Sequence, residues 1–402
     1  MDRARFEATG TGLNTCQQGA QLAHMQATDS LPSGAEVALH CKDWLYLNLT
    51  GIRATDPSEA CFTFGNFRTR AYDDTVIEAL GLTARRHLLP PILDGTENTH
   101  PLTAAAAAQT GLRAGTPVSL GYVDMVMTAL GAGVHTGAAN AACSTVGSTG
   151  VHLRSVPAGD VHLKPQSTGY VIALPIPGQV TQVQTNMAAT LNIDWVLKLA
   201  EGVLAEFGHP VTPRNLMERI EGWLAKSSPG AILYHPYISD AGERGPFVDA
   251  TARAGFAGLS FGHRFPDLVR AVIEGLGMAM RDCYAAMGDM PGELRLTGGA
   301  ARSRGLRGVL AASVNAPVRI SSREEAGAAG AAMMAAVAIG AYPTMDACIA
   351  EWVTPHLGAS ELPDPALVAT YARLFPIYTA AHHALRPIWH GMAEARTHRS
   401  LP

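Results

Sequence analysis

The residues best placed to do chemistry in this 402-residue sequence stand in three short runs. In Leu296–Ser303, LTGGAARS, two glycines follow directly on an apolar run. Glycines at the carboxyl end of a strand let the backbone approach a flat ligand with no Cβ in the way, and the N–H groups of a following helix point into the same space. That chemistry suits a nucleotide, although an ordinary strand-to-helix turn also uses such a pair and, on the residues alone, is favoured. In Val146–Gly150, VGSTG, the amides and hydroxyls of Ser148 and Thr149 can cradle a phosphate. The run lacks the lysine of a P-loop, and a plain hairpin turn explains it at least as well. Asp124 stands between a β-prone run, Pro117–Gly121, and a helical one, Met125–Leu130. A carboxylate there can take a proton from a substrate hydroxyl or cap the helix, and the residues alone divide the two evenly.

The elements that must position these runs read as an α/β chain. Strand Glu293–Thr297, Gly298 and Gly299, helix Ser303–Val314, strand Val318–Ser321 and helix Glu324–Ile339 follow one another in the grammar of a sheet that binds ligands beyond its strand ends. Upstream, a strand from Ala139 runs into the VGSTG turn, and Gly169–Pro175 and Thr181–Thr185 read as two more. Helices are expected over Ala35–Leu49, Ala188–Phe207, Pro213–Ala225 and Pro266–Met287, with a helical tail from Pro365. The small-residue helix within Arg323–Tyr342 is expected to pack closely on a sheet and help shape a nucleotide pocket. The Glu243–Arg244 pair in GERGPF reads as an internal salt-bridged hinge, and the DGT run Asp94–Thr96 as a surface loop.

Composition narrows the functions. Hydrophobic residues make up 47% and charged residues 16%, which allows sizeable cores and excludes a disordered chain. Lys+Arg 30 against Asp+Glu 34 gives a net charge of -4, no electrostatic footprint for nucleic acid or an anionic membrane. The apolar run Ala326–Ala341 is shorter than the roughly 20 residues of a membrane span. The six cysteines are dispersed with no CxxC pair, as in a reducing cytosol, so a cytoplasmic protein is expected. None of the 15 histidines has metal-ligand spacing, and no metal ligand is expected among them.

The order of the segments says more than any one of them. KDWLYLNLTGIRATDPSEA, GLRAGTPVSLGYVDMVMTALGAG, VGSTGV, LYHPYISDAGERGPF, DLVRAVIEGL, LTGGAARS and REEAGAAGAAMMAA resemble, in that order, the FGGY carbohydrate kinases. The segments CQQG, HCKDWLY, FTFGNFRTRAY, LGYVDMV and QTNMAATLNIDW are most similar to the branch acting on erythritol. The resemblance implies a two-domain α/β fold of the actin/hexokinase (ribonuclease H-like) type, residues 1–138 forming the polyol side and 139–402 the ATP side with a helical tail. The domains would close over ATP, Mg²⁺ and a small polyol or sugar, shutting out water.

The resemblance also implies roles. Asp124 matches the catalytic base, and is followed by Met125 where sister enzymes carry Asn or Gln. Gly147, Ser148 and Thr149 match the phosphate turn; Gly298, Gly299 and Ala300 match the adenosine segment, with Ser303 at an adenine-contacting position. Gln17 and Gln18, in the CQQ run Cys16–Gln18, match residues that reach substrate hydroxyls. Family members open with a strand bearing an Asp-x-Gly-Thr turn, which nothing before Thr9 provides. An N-terminal domain lacking its first half is therefore expected. A catalytically impaired nucleotide-binding remnant, or a kinase for glycerol, xylulose or ribulose, is the alternative. No nucleic-acid or membrane partner is expected, and self-association stays open.

Overall fold

In the computed structural model, which describes residues 3–10, 12–15, 17–136, 140–163 and 168–397, the strand–Gly-Gly–helix–strand run is found almost residue for residue. Strand Glu293–Thr297 leads through a tight turn into helix Arg304–Val314 and on to strand Val318–Ile320. The helix ends where Asn315 takes a left-handed φ of 53°, a conformation asparagine tolerates well at a helix end. The two strands pair in parallel, Leu294 with Val318 and Leu296 with Ile320, so the helix is the crossover that parallel pairing requires.

The chain divides into two units, and it passes between them more than once. Unit 1 comprises Met1–Gly137, Ser155–Val183 and Ser322–Leu357; unit 2 comprises Ala138–Arg154, Gln184–Ser321 and Gly358–Pro402. The expected boundary at 138/139 lies outside the described residues.

In unit 2, strand Glu293–Thr297 also pairs in parallel with Ala141–Val146, which turns at residues 147–149 into the antiparallel strand Gly150–Pro157. The expected start of that hairpin, Ala139, lies outside the described residues. Helix Phe265–Ala286 buries Val269, Val272, Ile273 and Leu276 in the same core as Leu294, Leu296, Val309 and Leu310. Each such side chain contributes about 1.5–3 kcal/mol on burial, which fixes the strands whose ends carry the glycine turns. The expected helix over Pro213–Ala225 is two helices, Pro213–Met217 and Ile220–Lys226, because Arg219 N–H bonds the carbonyl of Leu216 three residues back and tightens the chain there.

In unit 1, strand Pro117–Ser119 pairs antiparallel with Thr99–Pro101 and is followed by helix Asp124–Ala132. The Asp124 helix thus grows out of a two-stranded ribbon. Its face packs on helix Ala326–Ala338 through glycines: a Cβ on Gly131 would stand 1.9 Å from Ala326 O, and one on Gly330 2.2 Å from Met127 O. The small-residue helix thus packs chiefly on the Asp124 helix, and beside it on strand Pro117–Ser119 of the ribbon, where packing on a sheet was expected. The helix expected from Ala35 runs only from Cys41 to Thr50, because His40 and Asp43 form a capping box at its start. Strands Tyr170–Ala173 and Gln179–Asn186 pair as expected.

Among the described residues no helix is long and apolar enough to cross a membrane. Cys61, Cys143, Cys283 and Cys348 are buried thiols outside any disulfide among the described residues; Cys41 is exposed, and Cys16 lies outside the described residues. Burial pushes the Cys61 and Cys143 thiols up to about 12, which keeps them protonated and unreactive at neutral pH.

Candidate functional site

The two glycine-bearing turns belong to unit 2 and meet there. Thr145 lies opposite Thr297 in the parallel pair, with their hydroxyls 2.8 Å apart, so both strands deliver their turns at one edge of the sheet. Gly298 takes φ 82° and ψ -172°, a region only glycine occupies readily, and a Cβ on it would stand 2.8 Å from Val146 O. A Cβ on Gly147 or Gly299 would meet nothing within 4 Å, and Ser148 and Thr149 are exposed. Open backbone on two neighbouring turns beyond parallel strand ends is an arrangement that can receive a phosphate chain.

Not every residue singled out from the sequence faces that space. Ala300 is buried. Ser303 is the N-cap of helix Arg304–Val314: its Oγ accepts from Leu306 N–H at 3.2 Å and donates to Glu221 Oε1 at 2.8 Å.

The VGSTG turn is held from behind. Thr190 N–H and its hydroxyl both donate to Gly147 O at 2.9 Å, and Ala189 N–H donates to Ser148 O at 2.7 Å. That strap is fixed by Glu243, whose Oε1 accepts from Met187 N–H at 2.9 Å and from Arg244 N–H at 2.8 Å. The salt-bridged hinge expected of Glu243–Arg244 is therefore a carboxylate bonded to backbone amides. Burial pushes the Glu243 carboxyl up to about 7, against the pull of those amides. Under the turn, Ser144 Oγ lies 2.9 Å from His152 Nδ1 and 2.8 Å from Tyr284 OH, while His152 Nε2 meets Asn186 Oδ1 at 3.0 Å. Burial drives His152 down to about 4, so the ring is neutral and donates from Nε2 to the asparagine.

Asp124 belongs to unit 1. It is the first residue of its helix, with Val123 in the cap position, and it is exposed. Its Oδ1 accepts from Met125 N–H at 2.6 Å, which leaves Oδ2 to act outward. An exposed carboxylate on a fixed helix start can accept a proton from a hydroxyl brought to it. Two tethers hold the residues before it. Val123 N–H donates to Ser58 Oγ at 2.8 Å. Tyr122 OH donates to Asp94 Oδ2 at 2.7 Å, where Arg70 also binds at 3.1 Å. Asp94, expected on a surface loop, is thus a half-buried anchor for Tyr122, two residues before Asp124. The side chain of Gln17 is buried: Oε1 accepts from Asn14 N–H, and Nε2 donates to Gly12 O and Phe62 O. Gln18 borders a narrow crevice with His40, Thr55, Glu59 and Tyr72.

That crevice opens onto a buried charge cluster the sequence reading did not foresee. Lys42 Nζ lies 2.6 Å from Asp43 Oδ1 and 2.5 Å from Asp56 Oδ2, and His40 bridges Asp43 at 3.0 Å and Glu59 at 3.4 Å. Burial pushes the Glu59 carboxyl up to about 7. His40 is also raised: burial opposes its charge, but the Asp43 hydrogen bond and the Glu59 charge outweigh it. For both groups the folded state binds its proton more tightly than the unfolded chain. Their contribution to stability is therefore complete below the unfolded pKa and is lost as pH rises through the folded one. For Glu59 that window runs from 4.5 to about 7. Glu59→Gln, neutral throughout, is expected to gain stability relative to the parent between pH 5 and pH 8, on the order of 1–3 kcal/mol. Paired denaturant melts measure it; a difference that stays flat with pH would contradict the assignment.

The site's parts can now be set against known proteins. The family model described as the FGGY family of carbohydrate kinases, N-terminal domain, matches residues 4–131, and that for the C-terminal domain matches residues 128–339. The chain belongs to the FGGY family of carbohydrate kinases. It is 70% identical over 397 residues to the erythritol kinase of Brucella abortus, covering 98% of this chain and 76% of the relative. The crystal structure of xylulose kinase from Rhodospirillum rubrum matches with a TM-score of 0.82 at 25% identity, over 97% of this chain and 76% of that one. Plasmodium falciparum glycerol kinase with ADP matches in fold with a TM-score of 0.77 at 17% identity, over 96% and 75%. The fold is the two-domain, mixed α/β fold of FGGY kinases, and the chain is a phosphotransferase of that family. The expectation that the first half of the N-terminal domain is lacking is not supported, because the N-terminal family model is matched from residue 4 onward.

Proposed function

We propose that this FGGY kinase transfers the γ-phosphoryl group of ATP to a primary hydroxyl of erythritol. The observation that carries the substrate is the 70% identity, across 98% of the chain, to a protein named erythritol kinase. Phosphoryl transfer asks a protein chiefly for alignment and for stabilisation of charge. The exposed Asp124 carboxylate, on its tethered helix start, orients the hydroxyl and takes its proton as the bond to phosphorus forms. The open amides and hydroxyls of Gly147, Ser148 and Thr149 hold phosphate oxygens, and Gly298 and Gly299 line the adenosine with Ala300 buried behind them. Ser303 supports that segment as a helix cap. Gln18 and Gln17 stand on the polyol side, Gln17 through the backbone it holds.

Among the described residues no three His, Cys, Asp or Glu side chains gather into a metal cage. Mg²⁺, when bound with the nucleotide, would supply charge that offsets the phosphates.

A coupled ADP-release assay across erythritol, glycerol, xylulose and ribulose tests the reading. A site that hydrogen-bonds the hydroxyls of one polyol is expected to reject the others by roughly 10²-fold or more in kcat/KM. Preference for xylulose, ribulose or glycerol would move the substrate, and ATP binding without turnover of any polyol would leave a nucleotide-binding remnant.

A further inference from the structure

We infer that Ser58, backed by Asp56 and Lys42, is a positioning residue that sets where the Asp124 carboxylate stands; this rests on the reading of Asp124 as the base. The first N–H groups of a helix have no partner within it. In helix Asp124–Ala132, Met125 N–H bonds Asp124 Oδ1, and Val126 N–H and Met127 N–H bond Val123 O at 2.9 and 3.1 Å. Val123 has no side chain able to cap, so the peptide entering the helix is fixed from outside, by Ser58 Oγ at 2.8 Å. Ser58 is fully buried.

The serine hydroxyl has one orientation open to it. Its proton goes to Asp56 Oδ1, which also accepts from Ser58 N–H at 2.8 Å as the cap of helix Pro57–Thr63. A lone pair is left for Val123 N–H. Asp56 is itself buried, and its Oδ2 pairs with Lys42 Nζ at 2.5 Å. A carboxylate accepting the hydroxyl proton makes that oxygen a stronger acceptor, since linked hydrogen bonds polarise one another. The same short helix receives the Gln17 amide at Phe62 O, four residues and about one turn beyond Ser58. One helix thus carries the tether for Asp124 at one end and the support for the Gln17 loop at the other. A shift of about 1 Å in a reacting group can cost on the order of 10²-fold in rate, which is the scale on which this tether acts.

Ser58→Ala removes the acceptor, and Ser58→Cys keeps the size while offering a weaker one. In Ser58→Ala, hydrogen–deuterium exchange of the peptide spanning residues 120–127 is expected to speed up by about 10-fold or more. With erythritol, kcat is expected to fall by roughly 10-fold while KM for ATP holds, with Ser58→Cys between parent and alanine. Added to Asp124→Asn, the alanine change should cost less than about 2-fold more, because two residues acting through one group are not additive. Unchanged exchange at residues 120–127, or an equal rate loss in both backgrounds, would overturn the inference. Turnover kept by Asp124→Asn instead removes the base reading itself, and the exchange result still decides whether the tether exists. Should Ser58→Ala not fold, Ser58→Cys carries the same comparisons.

Discussion

Asp124→Asn is expected to lower kcat by roughly 10²-fold or more while leaving the fold intact. Two features make the exchange clean. The carboxylate is exposed, so an amide of the same shape fits without repacking. The one bond it makes among the described residues is Oδ1 accepting from Met125 N–H, which the asparagine oxygen can also accept. What is lost is the negative charge at a helix start, worth about 0.3–1 kcal/mol of stability, and the ability to take a proton. Steady-state kinetics with erythritol, alongside a thermal melt, separate the two. If kcat falls and the melt moves by only a few degrees, the proton acceptor is identified. Near-normal turnover would reduce Asp124 to a residue that merely begins a helix.

The second large effect is expected at Gly298. Its φ of 82° and ψ of -172° cost about 1–3 kcal/mol for any residue with a side chain, and a Cβ would press on Val146 O at 2.8 Å. Gly298→Ala cannot relieve this without moving the turn away from residues 146 and 147. Because the neighbouring turn is strapped by Thr190 and Ala189, the displacement falls mainly on the 298–302 segment. We expect the Kd for ATP to rise by about 5- to 150-fold, the factor matching that strain, with KM for the polyol changed little. Gly299→Ala is the control: its Cβ would meet no protein atom within 4 Å, so any loss there reports contact with the nucleotide and not strain. Equal affinities for the parent and Gly298→Ala would dissociate this turn from adenosine.

How much was legible depended on whether the partners lie close in sequence. The strand–Gly-Gly–helix–strand run could be read because each element is signalled locally, by an apolar run, a glycine pair and a capping serine. The helix beginning at Asp124 was legible for the same reason. The supports of Asp124 were not. Asp94 sits in a DGT run that looks like any polar turn, and its partners Arg70 and Tyr122 lie 24 and 28 residues away. Ser58 meets Val123 across 65 residues. His40, Lys42, Asp43, Asp56 and Glu59 read individually as surface charges; the burial of the three carboxylates against the partly buried His40 and Lys42 is decided by tertiary contacts between residues 40–43 and 56–59. Charged residues packed into KDW and TDPSEA, amid apolar neighbours, were the signal that could have raised the question. The small-residue helix was recognised for its close packing, but its partner, the Asp124 helix, could not be read from a one-dimensional pattern.

The interleaved path of the chain bears on how the protein comes into being. Helix Asp124–Ala132 lays its glycine face on helix Ala326–Ala338, which is translated nearly two hundred residues later. At ordinary ribosome speeds the earlier helix waits on the order of ten seconds for that companion. During the wait the face that meets it, at Met127, Thr128 and Gly131, stays bare. A nascent chain stalled before residue 326 therefore offers a sticky segment to chaperones, and neither unit can be cut out of the gene as one uninterrupted stretch.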